Sequence, residues 1–212
     1  MVDVVQDLIF PTVVARFLCN EDDLSRLDRS QMITYIRNNE RTIQDRAVHQ
    51  SSEDLYKLST FRNLYDLLME QCINHIKKLD YSFDSIEMTG MWGNNMLPGT
   101  THPPHTHSNN FVSGVFYLLS PNGKGKNGKP VASPIQFFDP RVQSNIFSPR
   151  KKPNPLNSNV MSYPCLEGVG YIFPSWLQHW VPPTPVERIS ISWNIIVRGQ
   201  YGIPGDLQNA HI

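Results

Sequence analysis

The feature that most constrains this chain is a change of hydrophobic period near Asp80. From Phe61 to Leu79, the residues Phe61, Leu64, Tyr65, Leu68, Cys72, Ile76 and Leu79 form one stripe at helical spacing, with Arg62, Asp66, Glu70 and Lys77 off it. A shorter stripe of Leu24, Leu27, Met32 and Tyr35 predicts a helix over about 21–37, with Asn20 as its N-cap. Beyond Asp80 the period shortens to two, as in Ile86, Met88, Gly90 and Trp92, and Gly/Pro punctuation becomes dense. Strands are expected at 85–92, 111–119, 135–138, 160–163, 169–173 and 188–197. Short strands divided by turns that hold most of the 17 prolines favour a sandwich or barrel over a parallel sheet. The expected class is mainly β with N-terminal helices.

Composition narrows the function classes. A chain of 212 residues that is 40% hydrophobic can bury one sizeable core, so a single domain spanning 1–212 is expected, with helical support over about 20–80 and a β core over about 84–198. Nineteen basic residues balance nineteen acidic ones, which removes the simplest drive toward broad nucleic-acid or membrane-surface binding. Cys19, Cys72 and Cys165 fit neither a disulfide framework nor a four-cysteine zinc site and imply a reducing compartment. There is no basic leader ahead of a long apolar run and no stretch of eighteen apolar residues, so a soluble, cytoplasmic protein is expected. Two loops stand out: Pro121–Pro130 as a solvated hairpin tip, and the basic, proline-rich Ser148–Ser158 as a lid or a stiff connection.

Three of the seven histidines crowd into His102-Pro-Pro-His105-Thr-His107, just ahead of an apolar run. On a strand, His105 and His107 would point to one face, as two ligands of one metal must. A third ligand is available in His179, in the apolar segment FPSWLQHWVPP. Nine residues on, alternation over 188–194 places Arg188, Ser190 and Ser192 on one face and Ile189, Ile191 and Trp193 on the other. An inward guanidinium requires an anion: either a protein Asp or Glu, or the carboxylate of a bound small acid. 2-Oxoglutarate meets that second description, since its keto acid end chelates iron and its far carboxylate needs an arginine.

The segments HTHSNNFVSGVFYLLSP, PIQFFDPR, GYIFPSWLQHWVPP and RISISWN together resemble the 2-oxoglutarate- and Fe(II)-dependent dioxygenases, the superfamily that includes the prolyl hydroxylases. More narrowly they are similar to a small family of oxygenases found in phages and marine bacteria. The resemblance covers about Trp92 to Ile196 and implies a double-stranded β-helix core, the jelly-roll, cupin-like fold. It carries the proximal histidine onto His105, the distal histidine onto His179 and the 2-oxoglutarate arginine onto Arg188, with Ser190 completing R-x-S and Tyr117 as a further hydroxyl on the same carboxylate. His107 stands where the superfamily normally has Asp or Glu. Either it ligates, giving three histidines, or it turns away, with His102 a distant substitute behind two prolines. Asp139-Pro140-Arg141 is expected to be a strand-ending turn with its charges paired, and His49, His75 and His211 have no assigned chemistry.

The resemblance implies a hydroxylase that couples 2-oxoglutarate decarboxylation to C–H oxidation with Fe(II) and O2, with ascorbate as a possible reductant. Its prime substrate, a peptide, nucleobase or small metabolite, is not legible in the sequence, nor is the oligomeric state. Two other classes stay open: a cupin-like metalloprotein that does not use 2-oxoglutarate, and a non-enzymatic jelly-roll binding protein.

Overall fold

The computed structural model describes residues 8–42, 49–121, 131–141, 152 and 154–212. The loop expected at 121–130 lies outside the described residues apart from Pro121, as do residues 148–151 and 153 of the second loop.

The N-terminal region runs through strand β1 (Ala15–Leu18), helices α1 (Glu21–Ser25) and α2 (Arg29–Asn38), and the two-residue strands β2 (Arg41–Thr42) and β3 (His49–Gln50). Helix α3 (Arg62–Lys78) follows. The helix expected over 21–37 is two helices. Asn20 caps the first in a reciprocal capping box with Asp23, and Asp28 starts the second by accepting from the Gln31 N–H. The stripe on α3 is buried as its spacing predicts: Leu64, Leu68, Cys72 and Ile76 are all fully covered.

The rest is strand: β4 (Ser85–Met96), β5 (His102–His105), β6 (Val112–Leu119), β7 (Ile135–Phe138), β8 (Val160–Tyr163), β9 (Val169–Pro174), β10 (His179–Val181), β11 (Arg188–Arg198), β12 (Gln200–Tyr201) and β13 (Ala210–His211). They form a seven-stranded sheet in the order β1-β9-β6-β11-β4-β3-β2, a four-stranded sheet in the order β5-β10-β7-β8 and a small β12-β13 pair. Every named pairing is antiparallel. From β4 to β11 the chain shuttles between the two large sheets, which is the winding of a double-stranded β-helix. β1, β2, β3, β5, β10, β12 and β13 lie outside the six strands expected from the sequence. β5 reads His-Pro-Pro-His, and two prolines fit only because this strand lies at the edge of its sheet.

Two cores result. On the outer face of the large sheet, Ile189, Ile191 and Trp193 of β11 pack into one cluster with Met32, Ile36, Leu64, Leu68 and Cys72 of the helices. Trp193 Nε1 donates to Cys72 Sγ at 3.2 Å, tying β11 to α3. The ring has room because residue 114, paired with it on β6, is glycine: a Cβ there would stand 2.1 Å from Trp193 Cζ2. Between the sheets, Val115, Tyr117, Tyr171 and Phe173 meet Ile135 and Phe137. The site occupies the remainder of that inter-sheet space.

Candidate active site

β5, the residues just after it, β10 and β11 carry His105, His107, His179, Arg188 and Ser190 to one narrow cavity between the sheets, while Tyr117 on β6 lies against Arg188 and outside the cavity lining. His105 ends β5 and His179 begins β10, and the two are register partners across that pair. His107 follows β5, its backbone N–H fixed to the Ser175 carbonyl at 2.9 Å. The three rings converge: His105 and His179 have centroids 4.3 Å apart, His105 and His107 5.1 Å, and His107 and His179 5.2 Å. Their potential ligand nitrogens all lie within 4.8 Å of one another. His102 is near, its ring 4.6 Å from that of His105, but it is not part of this cluster.

The environment of the rings suits a cation. His105 Nδ1 lies 2.7 Å from the Pro103 carbonyl, and His179 Nδ1 2.9 Å from the Leu177 carbonyl. A carbonyl only accepts, so each Nδ1 carries a proton, which leaves Nε2 as the nitrogen of each ring able to bind a metal. Burial, reinforced by the neighbouring His105, lowers His107 to about 4 and His179 to about 3. Both rings are therefore neutral near pH 7, and three imidazoles at this spacing can hold a divalent transition metal.

At the other end of the cavity Arg188 is only 2% exposed. Among the described residues no carboxylate pairs with it. One terminal nitrogen donates to the Ser133 carbonyl at 2.7 Å, the guanidinium carbon lies 4.9 Å from the centre of the Tyr117 ring, and Nε has no acceptor. The Tyr117 hydroxyl is likewise buried, next to the Arg188 guanidinium, and burial raises its pKa. Ser190 and Ser192 face the same cavity, as the alternation of β11 predicts. A buried guanidinium without a counter-charge costs several kcal/mol, of order 3–5 when a buried pair loses one partner. The arrangement accounts for Arg188 only if an anion reaches it, so these residues fit a ligand with a carboxylate at this end and a metal-binding group at the other.

Among the lining residues outside the sequence-based site candidates, Trp92, Asn94 and Ser192 carry polar atoms. Asn94 donates to Ser192 Oγ at 2.9 Å and accepts from Gln50 at 2.6 Å. Their signal was present in the period-two pattern, since Gly90, Trp92 and Asn94 share one face of β4. Asp139 and Arg141 pair at 2.9 Å as expected of that turn.

Two antiparallel sheets enclosing a three-histidine cluster and a buried arginine define a jelly roll of the metal-binding type. Residues 90–194, just under half of the chain, match the family model described as "Putative 2OG-Fe(II) oxygenase". That match supports the superfamily of 2-oxoglutarate- and Fe(II)-dependent oxygenases, whose members are oxidoreductases. No curated protein sequence matches it. Solved structures share the fold at low identity. A prolyl-4-hydroxylase from Pseudomonas putida aligns with a TM-score of 0.63 at 13% identity, covering 88% of this chain and 94% of the other. A Trichoplax adhaerens prolyl hydroxylase, bound to a peptide fragment of the hypoxia inducible factor oxygen degradation domain, gives 0.58 at 11%, covering 86% and 83%. HygX from Streptomyces hygroscopicus, with nickel, 2-oxoglutarate and hygromycin B bound, gives 0.57 at 8%, covering 87% and 83%. No helix among the described residues is long and apolar enough to cross a membrane.

Proposed function

We propose that His105, His107 and His179 hold Fe(II), that Arg188, Ser190 and Tyr117 receive the distal carboxylate of 2-oxoglutarate, and that the chain hydroxylates an organic substrate. The observation that carries this reading is Arg188: a buried guanidinium without a carboxylate partner, in the same cavity as three imidazoles. His107 thus takes the place of the usual Asp or Glu. Its neutral ring leaves the charge of the ion less compensated than a carboxylate would, which favours an anionic cosubstrate. Fe(II) with 2-oxoglutarate would supply the oxidising chemistry, in which O2, the cosubstrate and a substrate C–H bond give succinate, CO2 and the hydroxylated substrate.

The chain's own part is placement. The Pro103 and Leu177 carbonyls hold the His105 and His179 rings with Nε2 toward the metal position. The Arg188 fork binds the carboxylate bidentately, and the Ser190 and Tyr117 hydroxyls each add a donor. Apolar walls from Val115, Ile135, Phe173 and Val181 exclude bulk water from the reacting end. On this reading the chain works as one functional unit, its region of about 20–80 bracing the core of about 84–198.

A cleft of about 760 Å³ opens beside His105 and His107, with Arg41, Asp54, Tyr56 and Lys57 on its far wall. We infer that the prime substrate enters there and is polar. The fold serves a peptide in the Trichoplax enzyme and hygromycin B in HygX, so it accommodates either class. Three buried free thiols, Cys19, Cys72 and Cys165, support a reducing, cytoplasmic setting.

The test is turnover without prime substrate. Purified protein supplied with Fe(II), 2-oxoglutarate, O2 and ascorbate as reductant should form succinate slowly, and Arg188→Leu should not. Succinate no higher than in a protein-free control contradicts the reading.

A further inference from the structure

The chain has four tryptophans, and their indole N–H groups are not treated alike. Trp193 Nε1 donates to Cys72 Sγ and Trp180 Nε1 to Gln136 Oε1 at 2.8 Å. Trp176 is 57% exposed and lies within reach of water. Trp92 differs: its Nε1 is buried and has no acceptor. Buried donors are paired in the great majority of cases, because an unmet N–H keeps its desolvation cost with nothing in return. A lone one beside a ligand cavity calls for an acceptor on the ligand.

Its position says which acceptor. Trp92 lines both the narrow cavity and the open cleft, with its ring 5.8 Å from that of His107. The benzo edge lies beside Gly90, where a Cβ would stand 3.7 Å from Cζ3 and 3.8 Å from Cε3. The N–H edge therefore faces the other way along β4, toward Asn94, which also lines the cavity. Arg188 Nε, also unpaired and on the cavity lining, is at the opposite end, where Arg188 pairs with Met96 while Trp92 pairs with Ser192. Unmet donors at both ends match a ligand with a carboxylate at each end.

We propose that Trp92 positions 2-oxoglutarate by donating its indole N–H to the carboxylate at the metal end, opposite Arg188. This rests on the reading that the cavity takes 2-oxoglutarate. Trp92→Phe keeps an aromatic ring and removes only the donor. Titration of the Zn(II)-loaded proteins with 2-oxoglutarate should show binding about tenfold weaker in Trp92→Phe, the loss expected of one hydrogen bond to a charged group. Zn(II) affinity and thermal midpoint should stay at the wild-type values. A second measurement does not depend on that variant. In the 15N spectrum of the wild-type Zn(II) form, saturating 2-oxoglutarate should carry one indole signal downfield, and that signal should persist in Trp176→Phe and Trp180→Phe.

Equal affinity of Trp92→Phe and wild type, or an indole spectrum unmoved at saturation, overturns the role of Trp92 and leaves the function standing. Failure of the wild type to bind 2-oxoglutarate at all overturns both.

Discussion

The two faces of β11 are built from alternating residues of one strand and serve opposite ends. Ile189, Ile191 and Trp193 turn outward into the helix-covered core, where all three are fully buried and Trp193 also donates to Cys72. Arg188, Ser190 and Ser192 turn inward to the cavity, where Arg188 is as deeply buried but lacks a carboxylate partner among the described residues. Equal burial thus marks two different situations. On one face the side chains meet apolar partners and stabilise the fold; on the other the strand carries an uncompensated charge that the fold alone does not justify. Buried polar groups left unmet in this way point to a ligand.

Substitutions on the two faces should separate stability from binding. The largest effect belongs to the outer face: Trp193→Ala removes a buried indole and its link to α3 and should cost about 3–5 kcal/mol of unfolding free energy. Denaturant titration measures this, and 2-oxoglutarate affinity of the fraction that stays folded should be nearly unchanged. A loss below about 1 kcal/mol would show that the helices are not held by this face. The smallest belongs to the inner face: Ser190→Ala should leave the unfolding curve where it is and weaken 2-oxoglutarate by about 0.5–1.5 kcal/mol, the range for a single hydrogen bond. Isothermal titration with and without the hydroxyl reads it, and a variant that instead unfolds more easily at unchanged affinity would move Ser190 to the structural side.

How much of this was legible in the sequence follows the same division. The alternation over 188–194 placed Arg188 and Ser190 on one face without any structure, because a strand's period of two leaves no freedom once one face is apolar. The α3 stripe was equally plain. Between Glu21 and Asn38 the helical period runs through the Arg26–Asp28 break, and only the Asp28 side-chain cap reveals two helices. β5 and β10 carry little strand signal of their own because one is half proline and the other has three residues, so their pairing depends on partners far along the chain. That pairing brings His105 opposite His179, a contact that no local pattern encodes. The H-x-H spacing proposed His105 and His107 as companions through a strand, yet the strand ends at His105, and His107 is held by the Ser175 carbonyl instead. Trp92 was visible as one beat of an alternating strand, but an unmet N–H belongs to the three-dimensional surroundings and leaves no trace in spacing.

The central claim is that Arg188 is buried for the sake of an anion that also reaches the histidine cluster. Its most direct test is anaerobic titration of the Fe(II)-loaded protein with 2-oxoglutarate, wild type beside Arg188→Leu. The wild type should bind one equivalent per chain. Arg188→Leu should lose about 2–4 kcal/mol of binding free energy, the scale of a desolvated charge pair, with Fe(II) retained and the fold intact. Equal binding by the two proteins, or none by the wild type while its Fe(II) is in place, would contradict that claim.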